Sequence, residues 1–368
     1  MMHQARVGRA AEPFALRWRP CLALSNLDVM SGRRSLRTSV LLLLASLTSL
    51  AAASCGSDAG DGFGPGSSGG PNGGGERSLA QLERIADLYY VVNLASDGTN
   101  LYMASTPPGP VPTLSAVTLA DIGAATPPPL RPLTQMPEFT SADAFGIETD
   151  GAFVYYTADS SHWRVSVAGG TPERLTPVNV SFYRLRLHGE HLYFASETRI
   201  QRMPKAGGPV ETVYGDLKRV RTTLGIHGDT LYFMMDKSFY RAPIYPPGEI
   251  QMLTTLEDGP SYFAVNGRFV YVAEREEGDT PPMFGRFPVT GGPLEVLSTD
   301  FDPTSLLAVE DGAYVSHNDH ADGDVMYVGN DEKTPSRFSD RHGVRTPILV
   351  GPHLYWASES SRVERIVR

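Results

Sequence analysis

The fold is decided by a segment that recurs along the chain, first clearly as Asp150-Gly151-Ala152-Phe153-Val154-Tyr155 and again as His188-Gly189-Glu190-His191-Leu192-Tyr193. Each copy has a turn-forming glycine ahead of an apolar pair, and the pair usually ends in tyrosine. Seven copies occur, and their last residues are Tyr102, Tyr155, Tyr193, Tyr232, Tyr271, Ser316 and Tyr355. The spacings between them are 53, 38, 39, 39, 45 and 39 residues. The chain is therefore built from a repeat of nearly constant length.

The repeat predicts four β-strands in each unit. An apolar stretch precedes the turn, and the Leu-Tyr strand follows it. A third strand such as Arg202-Met203-Pro204 runs into a Gly-Gly turn, and a fourth such as Val210-Glu211-Thr212-Val213 comes after that turn. Hairpins with glycine at the turn would join the four strands. A period near 40 residues with no helical segment is the length of one β-propeller blade.

The two ends of the chain predict how the ring closes. The seventh unit stops at Arg365-Ile366-Val367-Arg368, which matches a third strand, while Leu82-Glu83-Arg84-Ile85-Ala86 precedes the first unit and resembles a fourth strand without a blade. We expect this segment to pair with residues 363–368, because an open propeller would leave two sheet edges unpaired. The predicted fold is an all-β, seven-bladed β-propeller of four-stranded blades, in which an N-terminal strand completes the last blade.

The Leu-Tyr strands also resemble a known group of proteins. Leu354-Tyr355-Trp356-Ala357 and Leu192-Tyr193-Phe194-Ala195 are similar to the LY-W-TD-type repeats of seven-bladed bacterial propellers, including TolB-like and lyase-like ones. The resemblance covers residues 79–368 and implies architecture more than function, since propellers serve as hydrolases, lyases, sugar binders and scaffolds. The aromatic residues of these strands could stack on carbohydrate. We instead predict that they form the core between blades, because they recur at one place in every unit.

The N-terminal region predicts export and lipidation. An apolar run, VLLLLASLTSL at 40–50, follows three arginines and is too short to span a bilayer, so residues 30–54 are interpreted as a signal peptide. Residues 1–29 are then either a non-native start ahead of Met30 or a genuine extension. The run ends at Leu50-Ala51-Ala52-Ala53-Ser54-Cys55, which resembles a bacterial lipobox and would make Cys55 a lipidated (palmitate-type) N-terminus. Ordinary cleavage that leaves Cys55 as a free thiol is the alternative.

The predicted location is the bacterial outer membrane or cell surface, because Gly56 rather than Asp follows the cysteine; the periplasm is the alternative. Residues 55–77 are rich in Gly and Ser and are interpreted as a flexible tether, ahead of a propeller domain at 78–368. Removing residues 1–54 takes away seven Arg and two acids, so the net charge changes from −9 to −14. Such a charge argues against nucleic-acid partners.

One face of the predicted disc has variable loops. The turns between strands one and two and between strands three and four are short, whereas the other connections are long and acidic. Variable loops on a rigid frame commonly carry binding sites, and this charge favours a cationic ligand or a metal ion. Solvated charge that only keeps the protein soluble is the alternative. A possible ligand-binding loop comprises Glu274, Glu276, Glu277 and Asp279.

The densest group of candidate metal ligands is His317-Asn318-Asp319-His320-Ala321-Asp322-Gly323-Asp324. His317, Asp319, His320, Asp322 and Asp324 offer carboxylates suited to Ca²⁺ and imidazoles suited to Zn²⁺. The segment lacks EF-hand spacing, and a hairpin loop of turn-forming residues explains it equally. No cofactor is otherwise expected, and the sequence contains no G-x-S-x-G, H-E-x-x-H or P-loop motif.

These features favour a lipid-anchored, non-catalytic propeller of the cell envelope that binds a partner protein or a small cationic ligand. The alternative is a metal-dependent envelope lyase or hydrolase with its site at the channel mouth near the sixth blade.

Overall fold

The computed structural model describes residues 83–88, 91–105, 112–123, 128–136, 146–159, 161–176, 185–220, 223–256, 259–276, 281–317, 324–339, 344–358 and 362–368. These residues form 28 β-strands and one short 3-10 helix, Leu119–Asp121. In this part of the chain no helix is long and apolar enough to cross a membrane.

The strands form seven four-stranded antiparallel sheets, the blades of a propeller. In blades 1 to 6 the strands follow one another in chain order. The strands of blades 1 to 3 are β2 (Val91–Ser96), β3 (Asn100–Ser105), β4 (Thr113–Thr118), β5 (Arg131–Gln135); β6 (Ile147–Thr149), β7 (Phe153–Ala158), β8 (Ser161–Ser166), β9 (Glu173–Arg174); β10 (Arg186–His188), β11 (His191–Ser196), β12 (Arg199–Pro204) and β13 (Glu211–Tyr214).

The strands of blades 4 to 6 are β14 (Gly225–His227), β15 (Thr230–Met235), β16 (Ser238–Pro243), β17 (Gln251–Thr255); β18 (Tyr262–Val265), β19 (Phe269–Glu274), β20 (Met283–Pro288), β21 (Glu295–Ser298); β22 (Pro303–Val309), β23 (Gly312–His317), β24 (Val325–Gly329) and β25 (Ser336–Ser339). Blade 7 combines β26 (Val344–Val350), β27 (His353–Ser358) and β28 (Arg362–Val367) with β1 (Glu83–Asp87) from the other end of the chain.

Ring closure by the N-terminal strand is therefore confirmed. Glu83 pairs with Arg365 and Asp87 with Arg362 in an antiparallel ladder. Ile85 is completely buried between blades 7 and 1, so the strand also supplies core to this seam.

The second strand of each blade is buried on both sides because every blade is sandwiched between two others. Successive side chains of a strand point to opposite faces. In β3, Leu101 and Met103 pack toward blade 7, whereas Tyr102 and Ala104 pack toward blade 2. This explains why these strands read as continuous apolar runs. The core consists of seven clusters, one at each seam between neighbouring blades.

The aromatic residues of the repeat lie in these seams, as predicted. The tyrosines at 102, 155, 193, 232, 271 and 355 are each no more than 4% exposed. Blade 6 needs a correction, since its residue in this position is Tyr314 and not Ser316. Tyr314 is the third residue of β23, as Tyr102 is of β3, and it lies opposite Tyr327 of the third strand.

An arginine clamp explains the Arg and Glu of the repeat. In five blades a third-strand arginine lies opposite the repeat tyrosine and binds a Glu or Gln of the fourth strand. The pairs are Arg164–Glu173, Arg202–Glu211, Arg241–Gln251, Arg286–Glu295 and Arg365–Glu83. Four of these guanidinium groups also donate to a carbonyl of the following blade, at Lys205, Val289, Gly329 and Ile122. The clamp thus ties two strands of one blade to the next blade.

The residue after the third strand forms a second inter-blade contact. Lys205 binds Asp150 of the preceding blade at 3.2 Å, and Arg368 binds Asp311. In the same position Asn330 accepts a 2.8 Å hydrogen bond from the Tyr271 hydroxyl. At these three seams, between blades 2 and 3, 5 and 6, and 6 and 7, polar contacts add to the apolar packing.

We expect Arg286→Ala to lower the free energy of unfolding by about 2–3 kcal/mol, because it removes charge-assisted hydrogen bonds at a site largely excluded from water. The Arg286 side chain is only 4% exposed, and its guanidinium binds Glu295 at 2.9 Å and the carbonyls of Gly329 and Glu332. Urea unfolding of the two proteins measures the difference. Arg268→Ala is the control, since Arg268 makes an exposed ion pair with Asp331 and should change stability by less than about 1 kcal/mol.

Candidate functional site

A cavity among the described residues occupies the central channel of the ring. Among the described residues its wall consists mainly of the first strands of the seven blades, β2, β6, β10, β14, β18, β22 and β26. The cavity volume is about 1260 Å³, large enough for a small-molecule ligand or the tip of a peptide.

The two faces of the disc differ, as the sequence predicts. In an antiparallel meander the one-to-two and three-to-four turns share one face. The one-to-two turns are tight, with two or three residues, but the three-to-four connections have six to twelve residues and are longer than the sequence predicts. Asp150 shows how the one-to-two turns are held: its Oδ1 accepts hydrogen bonds from the backbone N–H of Ala152 and Phe153, and its Oδ2 accepts one from the Tyr155 hydroxyl. Burial acts to raise the pKa of Asp150, but these hydrogen bonds and Lys205 together lower it.

The predicted metal ligands lie only partly within the described structure. His317 and Asp324 meet at the base of their loop, where the His317 N–H donates to the Asp324 carbonyl at 3.1 Å. The His317 ring is buried and stacks on Phe301 with ring centres 4.9 Å apart, and the Asp324 carboxylate binds Arg337 at 2.7 Å. These two side chains therefore have structural contacts of their own. Asp319, His320 and Asp322 lie outside the described residues, and the described ones contain no group of three or more potential metal-binding side chains.

The predicted ligand-binding loop begins at the end of β19. Glu274 is the last residue of that strand, and the exposed Glu276 donates its backbone N–H to Asp302 of blade 6 at 3.0 Å. Glu277 and Asp279 lie outside the described residues, as does Cys55.

The charge of the channel wall differs from that of the acidic loops. Of the described wall residues, three are arginines, Arg186, Arg275 and Arg345, and one, Glu148, carries a carboxylate. Glu148 binds Arg186 at 2.9 Å, and Arg186 also donates to the Leu224 carbonyl. The described channel wall therefore has more cationic than anionic side chains, whereas the sequence predicts acidic loops around the channel mouth.

Sequence reasoning did not single out Arg275, Arg345 or Thr346. One signal was present, because Pro347 interrupts an otherwise strand-like stretch, and proline within a strand marks an edge or a bulge. The register confirms a bulge: pairing jumps from Arg345 to Ile348 and leaves Thr346 and Pro347 together opposite Trp356.

A buried histidine lies away from the channel, in the seam between blades 2 and 3. The His162 ring packs on Phe194 with centres 4.6 Å apart, and its Nδ1 lies 3.1 Å from the Thr157 hydroxyl. Burial lowers the pKa of His162 to about 4, so the ring is neutral at physiological pH.

Comparisons with known proteins support the fold. No family model and no curated protein sequence matches the chain. Its structure is similar to that of a catalytically inactive virginiamycin B lyase from Staphylococcus aureus with quinupristin (12% identity, TM-score 0.60, 78% of this chain and 99% of that one). It is also similar to YCF48 bound to D1 peptide (8% identity, TM-score 0.56, 80% and 96%) and to BamB from Moraxella catarrhalis (12% identity, TM-score 0.50, 76% and 86%). At these identities the likeness establishes the propeller fold.

Proposed function

We propose that the protein is a lipid-anchored scaffold of the bacterial cell envelope that binds a partner protein through the long-loop face of its propeller. The observation that carries this proposal is the difference between the two faces. The described turns between first and second strands are short and internally hydrogen-bonded. Most connections of seven or more residues reach the opposite face, at one end of the channel: 106–112, 136–146, 175–185, 215–224, 275–282 and 318–324.

Structural relatives give general support for protein binding by this architecture. The structure of YCF48 contains a bound peptide, and BamB shows the same fold in a bacterial protein. The proposed anchor and location rest on the apolar run at 40–50 and on Cys55. The net charge of −14 proposed for the mature chain makes nucleic acid an unsuitable partner.

The binding face can be tested by capture of partners from envelope extracts. We expect the mature domain to retain a specific protein, and replacement of the loop at 275–281 by a short Gly-Asn-Gly turn to abolish that retention. Ala206→Glu is the matched control, since this exposed residue lies in a turn of the opposite face. Retention that is lost in the control and kept in the loop variant contradicts the assignment. A stoichiometric metal ion that disappears in the His317→Ala/His320→Ala variant favours the metal-dependent enzyme instead.

The anchor gives a separate prediction. We expect Cys55→Ala to move the protein from the membrane fraction to the soluble fraction of the envelope, because acyl chains contribute about 0.8 kcal/mol of membrane affinity per buried CH₂. Cys21→Ala should have no effect, since Cys21 precedes the predicted cleavage site. Immunoblots of fractionated cells measure the distribution, and wild-type membrane retention of Cys55→Ala contradicts lipidation at this residue.

A further inference from the structure

The channel wall of blade 7 contains a strained residue. Thr346 has φ of +46°, in the left-handed region, although it is β-branched and precedes proline. The other non-glycine residues with positive φ in the described chain are all aspartates, which tolerate this conformation better. Both features of Thr346 disfavour its backbone conformation, at a cost of about 1–3 kcal/mol. Its hydroxyl oxygen is buried and has no hydrogen-bond partner among the described residues.

A cluster of hydroxyl groups fixes the chain just before this residue. The Val344 carbonyl lies within hydrogen-bonding distance of the hydroxyls of Ser316, Thr304 and Ser305, at 2.9, 3.3 and 3.3 Å. Ser316 occupies a strand position that holds alanine in four other blades, at 104, 195, 273 and 357. Blade 6 therefore has polar groups at this seam where most blades have apolar ones. These groups fix the backbone from which the Arg345 side chain extends.

Two arginines line the channel near the face that carries the connections between second and third strands. They come from blades 5 and 7, which flank blade 6. Arg345 belongs to blade 7, and Arg275 follows the second strand of blade 5. Asp302 of blade 6 contacts Arg275 at 3.3 Å and also accepts the N–H of Glu276, which positions the Arg275 segment. Three consecutive blades thus contribute two guanidinium groups and the hydroxyl-bearing Thr304 and Thr346 to one part of the wall.

We propose that this wall, formed by blades 5, 6 and 7, binds an oxyanion, namely the carboxylate or phosphate group of a small ligand. Guanidinium groups donate paired hydrogen bonds that match the geometry of these anions. Strained backbone persists where the surrounding structure holds it in place, and such strain is concentrated at binding sites. The site is separate from the anchor but shares Arg275 with the loop that we propose binds the partner, whereas Arg345 and Thr346 lie on β26 of the channel wall.

Titration calorimetry of the mature domain in chloride buffer tests the site with two probes, inorganic phosphate and succinate. We expect one-to-one binding of at least one probe, and the one that binds identifies which oxyanion the site accepts. Arg345→Gln and Arg275→Gln should each weaken that binding at least tenfold, since each removes a charge-assisted contact. Their melting temperatures establish that the variants are folded.

Arg186→Gln is the matched control. Arg186 also lines the channel, but it belongs to blade 3 and lies outside the wall formed by blades 5, 6 and 7. We expect its substitution to leave binding within about twofold of wild type, whereas equal weakening by all three substitutions would mean that only the general charge of the channel matters. That result, the absence of binding by both probes, or unchanged binding in Arg345→Gln overturns the proposal.

Discussion

A chain that begins at residue 88 is expected to melt about 10 °C below one that begins at residue 78, because it lacks the strand that closes the ring. The deletion removes Ile85 and Ala86, which are 0% and 1% exposed, and the carboxylate of Glu83, which lies 2.6 Å from Arg365. Loss of a buried isoleucine costs about 2–5 kcal/mol, and the lost ladder and ion-pair hydrogen bonds add about 0.5–1.5 kcal/mol each. The deletion also exposes the edge of β28, so aggregation should increase.

Thermal melts of three chains, beginning at residues 55, 78 and 88, measure this effect. The first two should melt together, since the Gly/Ser-rich residues 55–77 lack the composition to form a core. Ile85→Ala in the full mature chain supplies a milder form of the same change, with an expected loss of about 2–5 kcal/mol. Equal melting temperatures for all of these proteins would show that β1 contributes nothing to closure.

Acidification is expected to destabilise the protein through His162. The imidazole has an ordinary pKa near 6.5 when the chain is unfolded, and burial lowers the pKa to about 4 in the folded protein. Above pH 6.5 the group is neutral in both states and contributes no pH dependence. Between pH 6.5 and 4 the unfolded chain binds a proton that the folded chain excludes, so stability falls as pH falls. The total loss from this group is about 3 kcal/mol.

Urea unfolding at several pH values between 7 and 4, for wild type and His162→Gln, isolates this contribution. The glutamine keeps a hydrogen-bonding group near the Thr157 hydroxyl but does not titrate, so the variant should lose about 3 kcal/mol less than wild type over this range. Hydrogen-bonded carboxylates such as Asp97 and Asp150, whose pKa values are lowered, also destabilise the protein on acidification, but they are present in both proteins. Parallel pH profiles would contradict the assignment to His162.

The blades and their closure could be predicted from sequence because both follow from local patterns. The turn glycines, the apolar second strands and the extra strand at 82–86 all repeat or complete a unit of near-constant length. The sequence analysis did not identify the arginine clamp, although an Arg of the third strand and a Glu or Gln of the fourth recur nine or ten residues apart in four blades. The role of these arginines in binding the next blade could not be predicted from the sequence, because that contact depends on how the blades pack.

The repeat position predicted for blade 6, which placed Ser316 where the other blades have tyrosine, is wrong for a physical reason. Gly312 resembles the turn glycines of the other blades, but it is the first residue of β23, and the turn before it contains only Glu310 and Asp311. A Cβ atom on Gly312 would collide with the Val328 carbonyl oxygen. This glycine is therefore required by close packing of two strands, and sequence alone does not separate that requirement from a turn.

The candidate site was less predictable than the fold. Composition indicated an acidic loop face, whereas the arginines of the channel come from three blades that are far apart in sequence. The strain at Thr346 also depends on its surroundings, because the hydroxyl groups that hold Val344 belong to the neighbouring blade.

The pairing of β1 with β28 also determines when the protein can finish folding. Glu83 and Arg365 are 282 residues apart in the chain, so β1 has no partner until the last strand has been synthesised and, if the protein is exported, translocated. Blades 1 to 6 consist of consecutive strands and can form as they emerge. Until blade 7 has formed, Leu101 and Met103 of blade 1 lack their packing partners. The exposed apolar surface can then associate with other chains. Folding of this chain is therefore expected to be vulnerable to aggregation until β28 is in place.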